Sequence, residues 1–190
     1  MSLFCTIHTE SERLGRLIGD LLALARADEG QVRLEREVVR FDLLVEAVTA
    51  TLEPLATEYD VALGVEATEP VSLLGDEARL MQVVINLLEN AILYTNAGGR
   101  VSVRVFSKNA QVYLIVRDTG IGIAPEHLPH IFDRFYRVDP ARIRTEGGSS
   151  GLGLAIVDWI VKAHDGSIAI ESQVGQGSTF TVVLPLHAVG

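Results

Sequence analysis

The sequence predicts an α+β fold: a two-layer sandwich in which a mixed sheet carries helices on one face, preceded by one long N-terminal helix. Helical patterns and short apolar strands follow one another in an order that suits such a sheet. A separate helical stripe precedes them at residues 6–28. Hydrophobic residues make up 48% and charged residues 22% of the 190 residues, a composition typical of a globular chain.

The N-terminal stripe is wide and heptad-like, and it is formed by Ile7, Leu14, Leu17, Leu21 and Leu24. This spacing favours a helix that pairs in a bundle or dimer over a helix that packs on its own domain. We therefore expect two parts, residues 1–29 and residues 30–190. Residues 1–3 are typical of a cloning leader, so we expect the chain to be a piece of a longer protein.

Periodicity and turn signals predict the elements of the second part. Alternating or apolar runs predict strands near 34–41, 61–65, 71–74, 101–106, 112–116, 167–172 and 178–184. Runs of period 3.6 predict helices over 43–58, 77–95 and 152–164. Asp42 and Asp76 are the expected N-caps of the first two helices, and His164 is expected to end the third as a cation that favours its dipole. A long loop with short helices is expected over 118–150.

Charge and cysteine content exclude several classes of protein. The net charge is -9 and no cluster of lysines and arginines stands out, which argues against a nucleic-acid surface. The single Cys5 excludes an intramolecular disulfide and fits a reducing compartment. No apolar run approaches the roughly 20 residues that a membrane helix needs, and no signal peptide is recognisable. We therefore expect a soluble, cytoplasmic fragment.

Three polar clusters interrupt the apolar elements. The first recurs every four residues on the second helix, so that Asn86, Asn90 and Tyr94 lie on one face. An asparagine carbonyl oxygen can bind a hard cation, and its amide can donate to phosphate. Because asparagine is disfavoured inside helices, the repetition favours a functional face over a solvated one.

The second cluster closes a strand and opens a loop. Its Asp118 can accept a hydrogen bond from an exocyclic amine, while Gly120 and Gly122 let the backbone approach a flat ligand closely. The third cluster runs from Gly147 to Gly153 into the start of a helix, where free N–H groups and the helix dipole suit an anion such as a triphosphate. The lysine of the Walker motif is missing from it.

Together and in this order the clusters resemble the Bergerat ATP-binding fold of the histidine kinase, gyrase and MutL superfamily. The resemblance covers about residues 31–187. Its boxes are the N box at Asn86–Tyr94, the first glycine box at Asp118–Ile123, the F box at Ile131–Arg137, the second glycine box at Gly148–Leu154 and the closing strands around Gly175–Phe180.

Residues Glu12–Arg26 resemble the second helix of the dimerisation and phosphotransfer hairpin of sensor histidine kinases. The resemblance therefore implies that residues 1–29 are the truncated C-terminal helix of this hairpin and that residues 30–190 are the ATP-binding catalytic domain. In the family the phospho-accepting histidine lies in a His-Glu-Leu-Arg-Thr-Pro-type box on the first helix. His8 is followed by Thr-Glu-Ser and does not match that box.

The resemblance implies ATP as the ligand, with magnesium bound through the amide oxygen of Asn90. Asp118 would take the adenine amino group, Asn86 would lie close to the phosphates, and the backbone of the second glycine box would bind them. Residues 124–150 would form the ATP lid, with Phe132 and Phe135 anchoring its stem. The implied ATP-binding set is Asn86, Asn90, Tyr94, Asp118, Gly120, Gly122, Ile123, Arg137, Ser150, Gly151, Leu152, Gly153 and Leu154.

The resemblance also implies a protein-histidine kinase, which transfers the γ-phosphate of ATP to a histidine of the hairpin for relay to a response-regulator receiver domain. The gyrase, MutL and chaperone branches place a glutamate at the position of Asn86, where it activates water. Asparagine cannot act as that base, which favours phosphotransfer over hydrolysis. Glu89 remains a candidate base, but it points about 100° away from Asn90 on the helix. The whole protein is expected to be a membrane-anchored homodimer with this part in the cytoplasm.

Two departures from the family pattern bear on the site. Leu93 stands where the family usually has a lysine that meets phosphate, so ATP binding is either weakened or supported instead by Arg137. The resemblance implies a contact of Arg134 or Arg137 with the γ-phosphate, and a surface charge is an equally good interpretation of either. An extra serine, Ser149 or Ser150, leaves two alignments of the second glycine box open, which differ by one residue. Two alternatives stay open: a degenerate ATP-binding or dimerisation module, and a serine kinase of the anti-sigma-factor type, against which the hairpin-like helix argues.

Overall fold

The computed structural model describes residues 33–66, 69–138 and 151–186, together with five helical positions between residues 19 and 25. In chain order its elements are β1 (Glu37–Arg40), α1 (Phe41–Glu58), β2 (Ala62–Val65), β3 (Ser72–Gly75), α2 (Glu77–Leu93), β4 (Arg100–Lys108), β5 (Gln111–Asp118), a short 3-10 helix (Leu128–His130), α3 (Gly153–Ala163), β6 (Ser167–Gln173) and β7 (Gly177–Pro185). No helix among these residues is long and apolar enough to span a bilayer.

The main sheet has five strands in the order β2-β4-β5-β7-β6. Strand β2 runs parallel to β4, and all other neighbours in this sheet are antiparallel. Strands β1 and β3 form a separate antiparallel pair. The predicted α+β fold with a mixed sheet is therefore confirmed, and the one parallel pairing is the feature that makes the sheet mixed.

Alternation along the strands divides the sheet into a buried face and a more exposed face. The buried face carries Val101, Val103, Val105, Val112, Leu114, Val116, Phe180, Val182 and Leu184. The three helices cover it with Val45, Leu80, Val84, Leu87, Leu88, Ile156, Val157 and Ile160. Each such buried side chain contributes about 1.5–3 kcal/mol relative to leaving it in water. This apolar layer holds the helices on one face, as the sequence predicts.

The two predicted N-caps have different outcomes. Asp76 caps α2 as expected, because its Oδ1 accepts from the amide of Arg79 at 3.1 Å. Asp42 does not cap α1, which begins one residue earlier at Phe41. Phe41 is fully buried and its amide donates to the carbonyl of Val71, which draws the helix start upstream. The carboxylate of Asp42 pairs instead with Arg40 at 2.8 Å, and this bond lowers its pKa.

The hairpin of β4 and β5 is longer than the sequence predicts. Its strands extend to Lys108 and from Gln111, so that only Asn109 and Ala110 form the turn. Both turn residues have positive φ, as a two-residue turn between twisted strands requires. Alanine is unusual in that conformation, and the sequence therefore gives no signal for so short a turn.

The predicted N-terminal helix lies mostly outside the described residues, as do His8 and the leader at residues 1–3. Of the positions that are described, Leu24 is 2% exposed and belongs to the core cluster, whereas Leu21 and Leu22 are 42% and 51% exposed. The division into residues 1–29 and 30–190 stays a prediction.

His164 ends α3 as predicted, but as a buried neutral side chain rather than a cation. Its Nδ1–H donates to the carbonyl of Ile160 at 2.8 Å, and its Nε2 accepts from the amide of Asp76 at 3.0 Å. The ring therefore joins the end of α3 to the start of α2. Burial lowers its pKa below the ordinary 6.5, and the positive charge of Arg36 acts in the same direction. The hydrogen bond that His164 donates to the carbonyl of Ile160 opposes this lowering of the pKa, as do the carboxylates of Asp76 and Asp165.

Acidification is expected to destabilise the fold through His164. The unfolded chain binds a proton near pH 6.5, whereas the folded chain does so only at a lower pH. The contribution of His164 is therefore complete above pH 6.5, falls as the pH drops below 6.5, and levels off below the folded pKa. Urea unfolding of wild type and His164→Gln between pH 8 and pH 5 measures this. The wild type should lose more stability than the variant, and parallel losses would contradict the assignment.

Candidate active site

A cavity open to solvent lies between α2, α3, the loop after β5 and the segment after the 3-10 helix. Its lining combines one apolar wall with a few polar groups. The lining residues are Asn90, Ala91, Tyr94, Asp118, Ile121, Gly122, Ile123, Ile131, Tyr136, Arg137, Val138, Gly151, Gly153, Leu154, Ser178 and Phe180.

Asp118 is a buried acidic residue of this cavity, with only 5% of its surface exposed. Its Oδ1 accepts from the amides of Gly120 at 2.8 Å and Ser178 at 3.2 Å. No described residue donates to Oδ2. Burial raises the pKa of Asp118, and the two backbone bonds oppose the rise. A carboxylate held in this way leaves one oxygen to accept a hydrogen bond from a ligand.

The loop after β5 is locked against the turn between β6 and β7. Gly122 has a φ of +66, and a Cβ there would collide with the carbonyl oxygen of Gln173. The amide of Gly175 donates to the carbonyl of Ile121 at 2.8 Å. Glycine is therefore required at residue 122, and the loop wall of the cavity is set by this close contact of two backbones.

The start of α3 forms another wall. Leu152 occupies the N-cap position, and no side chain of the described residues caps the helix. Gly151 has a φ of +73, and a Cβ there would lie 2.8 Å from the carbonyl carbon of Phe135. Uncapped N–H groups and the helix dipole make such a helix start attractive to an anion.

Helix α2 presents Asn90 to the cavity, with Tyr94 directly after its last turn. No described residue is hydrogen-bonded to the amide of Asn90, so its oxygen is available to a cation. Asn86, one turn earlier, does not line the cavity. Its Nδ2 donates to the carbonyl of Gly153 at 3.3 Å, which ties α2 to the first turn of α3.

Arg137 brings a positive charge into the lining. Its Nε and Nη2 are buried and have no hydrogen-bond partner among the described residues. Burial raises the pKa of Tyr94, and the positive charge of Arg137 acts against this rise. The side chains of Arg137 and Tyr94 are therefore close to each other. Arg134 is exposed and lies outside the lining. Buried donors without partners are costly, which indicates that the guanidinium is arranged for a ligand.

The structure brings together nine residues of the set that the resemblance implies. They are Asn90, Tyr94, Asp118, Gly122, Ile123, Arg137, Gly151, Gly153 and Leu154. Asn86, Gly120 and Leu152 lie beside the cavity without lining it: Gly120 bonds Asp118, and the side chain of Leu152 is fully buried. Ser150 lies outside the described residues, as do Ser149 and the rest of the lid after residue 138.

Several lining residues are missing from the predicted set. The apolar ones, such as Ile121, Ile131 and Phe180, lie inside these motifs, but their apolar side chains do not distinguish a site from the core. Tyr136 in the F box and Ser178 in the closing-strand motif are polar, and that polarity is a signal for a site. A polar residue within such a motif is therefore as good a candidate for ligand binding as a glycine of the same motif.

The two phenylalanines of the lid stem differ. Phe132 is partly buried and packs against the core, as predicted. Phe135 is 60% exposed and has a φ of +63. The predicted anchoring by its side chain is therefore wrong, because the chain turns sharply here and directs the ring outward. The anchor at this position is the backbone, whose amide donates to the carbonyl of Gly151 at 2.9 Å.

Comparison with known families agrees with this geometry. A family model described as histidine kinase-, DNA gyrase B-, and HSP90-like ATPase matches residues 75–188, which include all of the lining residues named above. The sensor histidine kinase RppB of Synechocystis sp. is 40% identical over 185 residues, which are 97% of this chain and 40% of that protein. The sensor histidine kinase CusS of Escherichia coli O157:H7 is 42% identical over 176 residues, 93% of this chain and 36% of that protein.

Solved structures extend the similarity to the fold. The Acinetobacter baumannii histidine kinase AdeS superposes with a TM-score of 0.80 at 28% identity, covering 98% of this chain and 85% of that one. Full-length ShkA in complex with AMPPNP superposes with a TM-score of 0.83 at 30% identity, covering 95% of this chain and 38% of that one. The chain spans about two fifths of the length of the curated relatives it matches. It belongs to the histidine kinase-, DNA gyrase B- and HSP90-like ATPase family, among the catalytic domains of sensor histidine kinases.

Proposed function

We propose that the cavity binds magnesium-ATP and that the chain is the catalytic domain of a protein-histidine kinase. One observation carries the proposal: a single cavity joins a buried carboxylate to the start of α3, uncapped by any described side chain, and to the guanidinium of Arg137, whose buried Nε and Nη2 have no partner within the described ranges. The first group accepts a hydrogen bond from an amine, and the other two attract an anion. A nucleotide such as ATP carries both an amine, on its base, and an anion, its phosphate chain.

At the base end, the Oδ2 atom of Asp118 accepts a hydrogen bond from the exocyclic amino group of adenine. Its Oδ1 is already occupied by two backbone amides, which fix the orientation of the carboxylate. The apolar residues Ile121, Ile131 and Phe180 supply the flat, dry surroundings in which this hydrogen bond is strongest.

At the phosphate end, the backbone of Gly151 and Gly153 and the guanidinium of Arg137 bind phosphate oxygens. Asn90 holds magnesium through its amide oxygen. No group of three or more His, Cys, Asp or Glu side chains in the described part of the chain could hold a metal ion. Magnesium commonly takes few protein ligands, which is compatible with residues that would offer it one amide oxygen. When bound, it offsets the charge of the phosphates.

The proposed reaction is phosphoryl transfer rather than hydrolysis. Asn86 cannot act as a general base, and its amide is bonded to Gly153. Glu89 is absent from the cavity lining and does not replace it. A nitrogen of a histidine on the phosphotransfer hairpin attacks the γ-phosphorus, the bond to the β–γ bridging oxygen breaks, and ADP leaves. The chain supplies position and positive charge for this step.

The partners follow from the proposed reaction. The phospho-acceptor lies on a dimerisation and phosphotransfer hairpin of the same or a partner protomer, and the phosphate is relayed to a response-regulator receiver domain. The relatives are sensor histidine kinases more than twice as long as this chain, which supports a larger whole protein. We propose that this protein is a membrane-anchored homodimer with this domain in the cytoplasm.

Labelling with γ-³²P-ATP distinguishes the proposed kinase from a hydrolase. The chain alone should acquire no label, His8 included. Added to a separate hairpin polypeptide with a His-Glu-Leu-Arg-Thr-Pro-type box, it should place acid-labile, alkali-stable label on that hairpin. The matched control is the same hairpin with its histidine replaced by glutamine. Rapid release of inorganic phosphate by the chain alone would contradict the proposal, as would label on His8.

A further inference from the structure

Ser172 lies on β6, outside the cavity lining, and connects two segments that form the cavity wall. Its Oγ accepts a hydrogen bond from the amide of Ile123 at 2.8 Å and is hydrogen-bonded to the carbonyl of Gly177 at 3.0 Å. It also lies 2.9 Å from the Oγ of Ser178. The first of these partners belongs to the loop after β5, and the other two begin β7. One hydroxyl therefore joins segments that are 49 residues apart in sequence.

The chemistry of the three partners decides where the hydrogens lie. An amide N–H can only donate, so Ser172 accepts from Ile123. A carbonyl can only accept, so the single hydroxyl hydrogen of Ser172 goes to Gly177. The contact between the two serines then needs the hydrogen of Ser178. Only this assignment satisfies all three contacts at once.

The assignment fixes the polarity of Ser178 toward the cavity. Ser178 is 8% exposed, lines the cavity, and gives its backbone amide to Oδ1 of Asp118. With its hydroxyl hydrogen held by Ser172, its Oγ offers only lone pairs. The same corner of the cavity therefore presents two acceptors, the carboxylate of Asp118 and the hydroxyl oxygen of Ser178.

We propose that Ser172 is a positioning residue that selects the base: it holds the Ser178 hydroxyl as an acceptor and so favours a purine with a 6-amino group over one with a 6-carbonyl. This inference rests on the proposed nucleotide function. An amino group donates to both acceptors of the corner. A carbonyl oxygen meets two acceptors and no donor, and a buried polar group left unpaired in this way is strongly rejected.

Loss of Ser172 frees the hydroxyl hydrogen of Ser178 to turn into the cavity and donate to a 6-carbonyl. ADP and inosine diphosphate are the probes, because their bases differ in the 6-substituent and the proton on the adjacent ring nitrogen. Calorimetry at pH 8 should show wild type binding ADP at least about tenfold more tightly than inosine diphosphate. Ser172→Ala should narrow this ratio by about five- to tenfold. Ser167→Ala, the same change at an exposed position of β6, should leave the ratio unchanged.

A double-mutant cycle tests whether Ser172 acts through Ser178. Ser178→Ala removes the hydroxyl acceptor and should by itself narrow the ratio of ADP affinity to inosine diphosphate affinity. Adding Ser172→Ala to this variant should narrow the ratio no further. If Ser172→Ala fails to fold, Ser172→Cys keeps a weaker donor and acceptor in place and should narrow the ratio partially.

The outcomes separate the selective role from a structural one. Parallel losses of affinity for both diphosphates, with an unchanged ratio, would mean that Ser172 only holds the loop in place and would overturn the proposal. Additive effects of the two serine substitutions would also overturn it. Binding of neither diphosphate by wild type would overturn the proposed function itself, whereas ADP binding with an unaltered ratio leaves that function standing.

Discussion

Asp118→Asn is expected to weaken ATP binding by roughly 100-fold, equivalent to about 3 kcal/mol. The two amides on Oδ1 require an acceptor there, so an asparagine oxygen must take that position. Its NH₂ group then faces the adenine amino group, and two donors meet where a donor met an acceptor. The loss follows from this reversed polarity and not from a change of shape.

Calorimetry with magnesium-ATP measures the effect of this substitution. The matched control is Asp165→Asn, which makes the same change at an exposed carboxylate paired with Arg36 and outside the cavity. It should alter ATP affinity by less than about twofold, because surface ion pairs contribute little. Unchanged affinity in Asp118→Asn would mean that the base does not bind at this carboxylate.

Arg137→Met is expected to weaken ATP binding by about 30-fold and to stabilise the chain without nucleotide by about 1 kcal/mol. The guanidinium atoms Nε and Nη2 are buried without a partner in the described residues, so the charge is a cost until phosphate arrives. Methionine removes that cost and the phosphate contact together. Leu93, which stands where the family usually has a lysine, does not line the cavity. Arg137 is therefore the basic residue of the described lining.

Opposite changes in stability and affinity are the signature of this role. Urea unfolding gives the first quantity and calorimetry the second. Arg134→Met is the matched control, since Arg134 is exposed, lies three residues away and is outside the lining. A larger loss of affinity in Arg134→Met than in Arg137→Met would reverse the assignment of the two arginines. Lower stability of Arg137→Met without nucleotide would show that the guanidinium serves the fold.

Local pattern was sufficient to predict the helix face and the carboxylate. Asn90 and Tyr94 fall on one side of α2 because helical spacing places residues four apart together, and the structure directs both into the cavity. Asp118 ends an apolar strand and precedes two glycines, so its placement at the sheet edge follows from the strand itself. The N-cap at Asp76 is equally local, since it depends on four consecutive residues.

Contacts between distant segments could not be predicted in the same way. Arg134 and Arg137 carry the same charge in one loop, and only the fold distinguishes them, because Arg137 lines the cavity whereas Arg134 is exposed outside it. The charge state of His164 depends on a bond to Asp76, 88 residues away. Ser172 and Ser178 are ordinary strand residues until the hairpin places them beside the loop after β5.

Calorimetric titration of the wild-type chain with magnesium-ATP tests the central claim most directly. The account predicts saturable one-to-one binding with a Kd below about 1 mM, weakened by Asp118→Asn and Arg137→Met. Omission of magnesium should reduce the affinity, because the phosphate charge is then offset by Arg137 and the helix start alone. No heat of binding at millimolar nucleotide, from a chain that unfolds cooperatively, would contradict the account and favour a module that has lost its nucleotide.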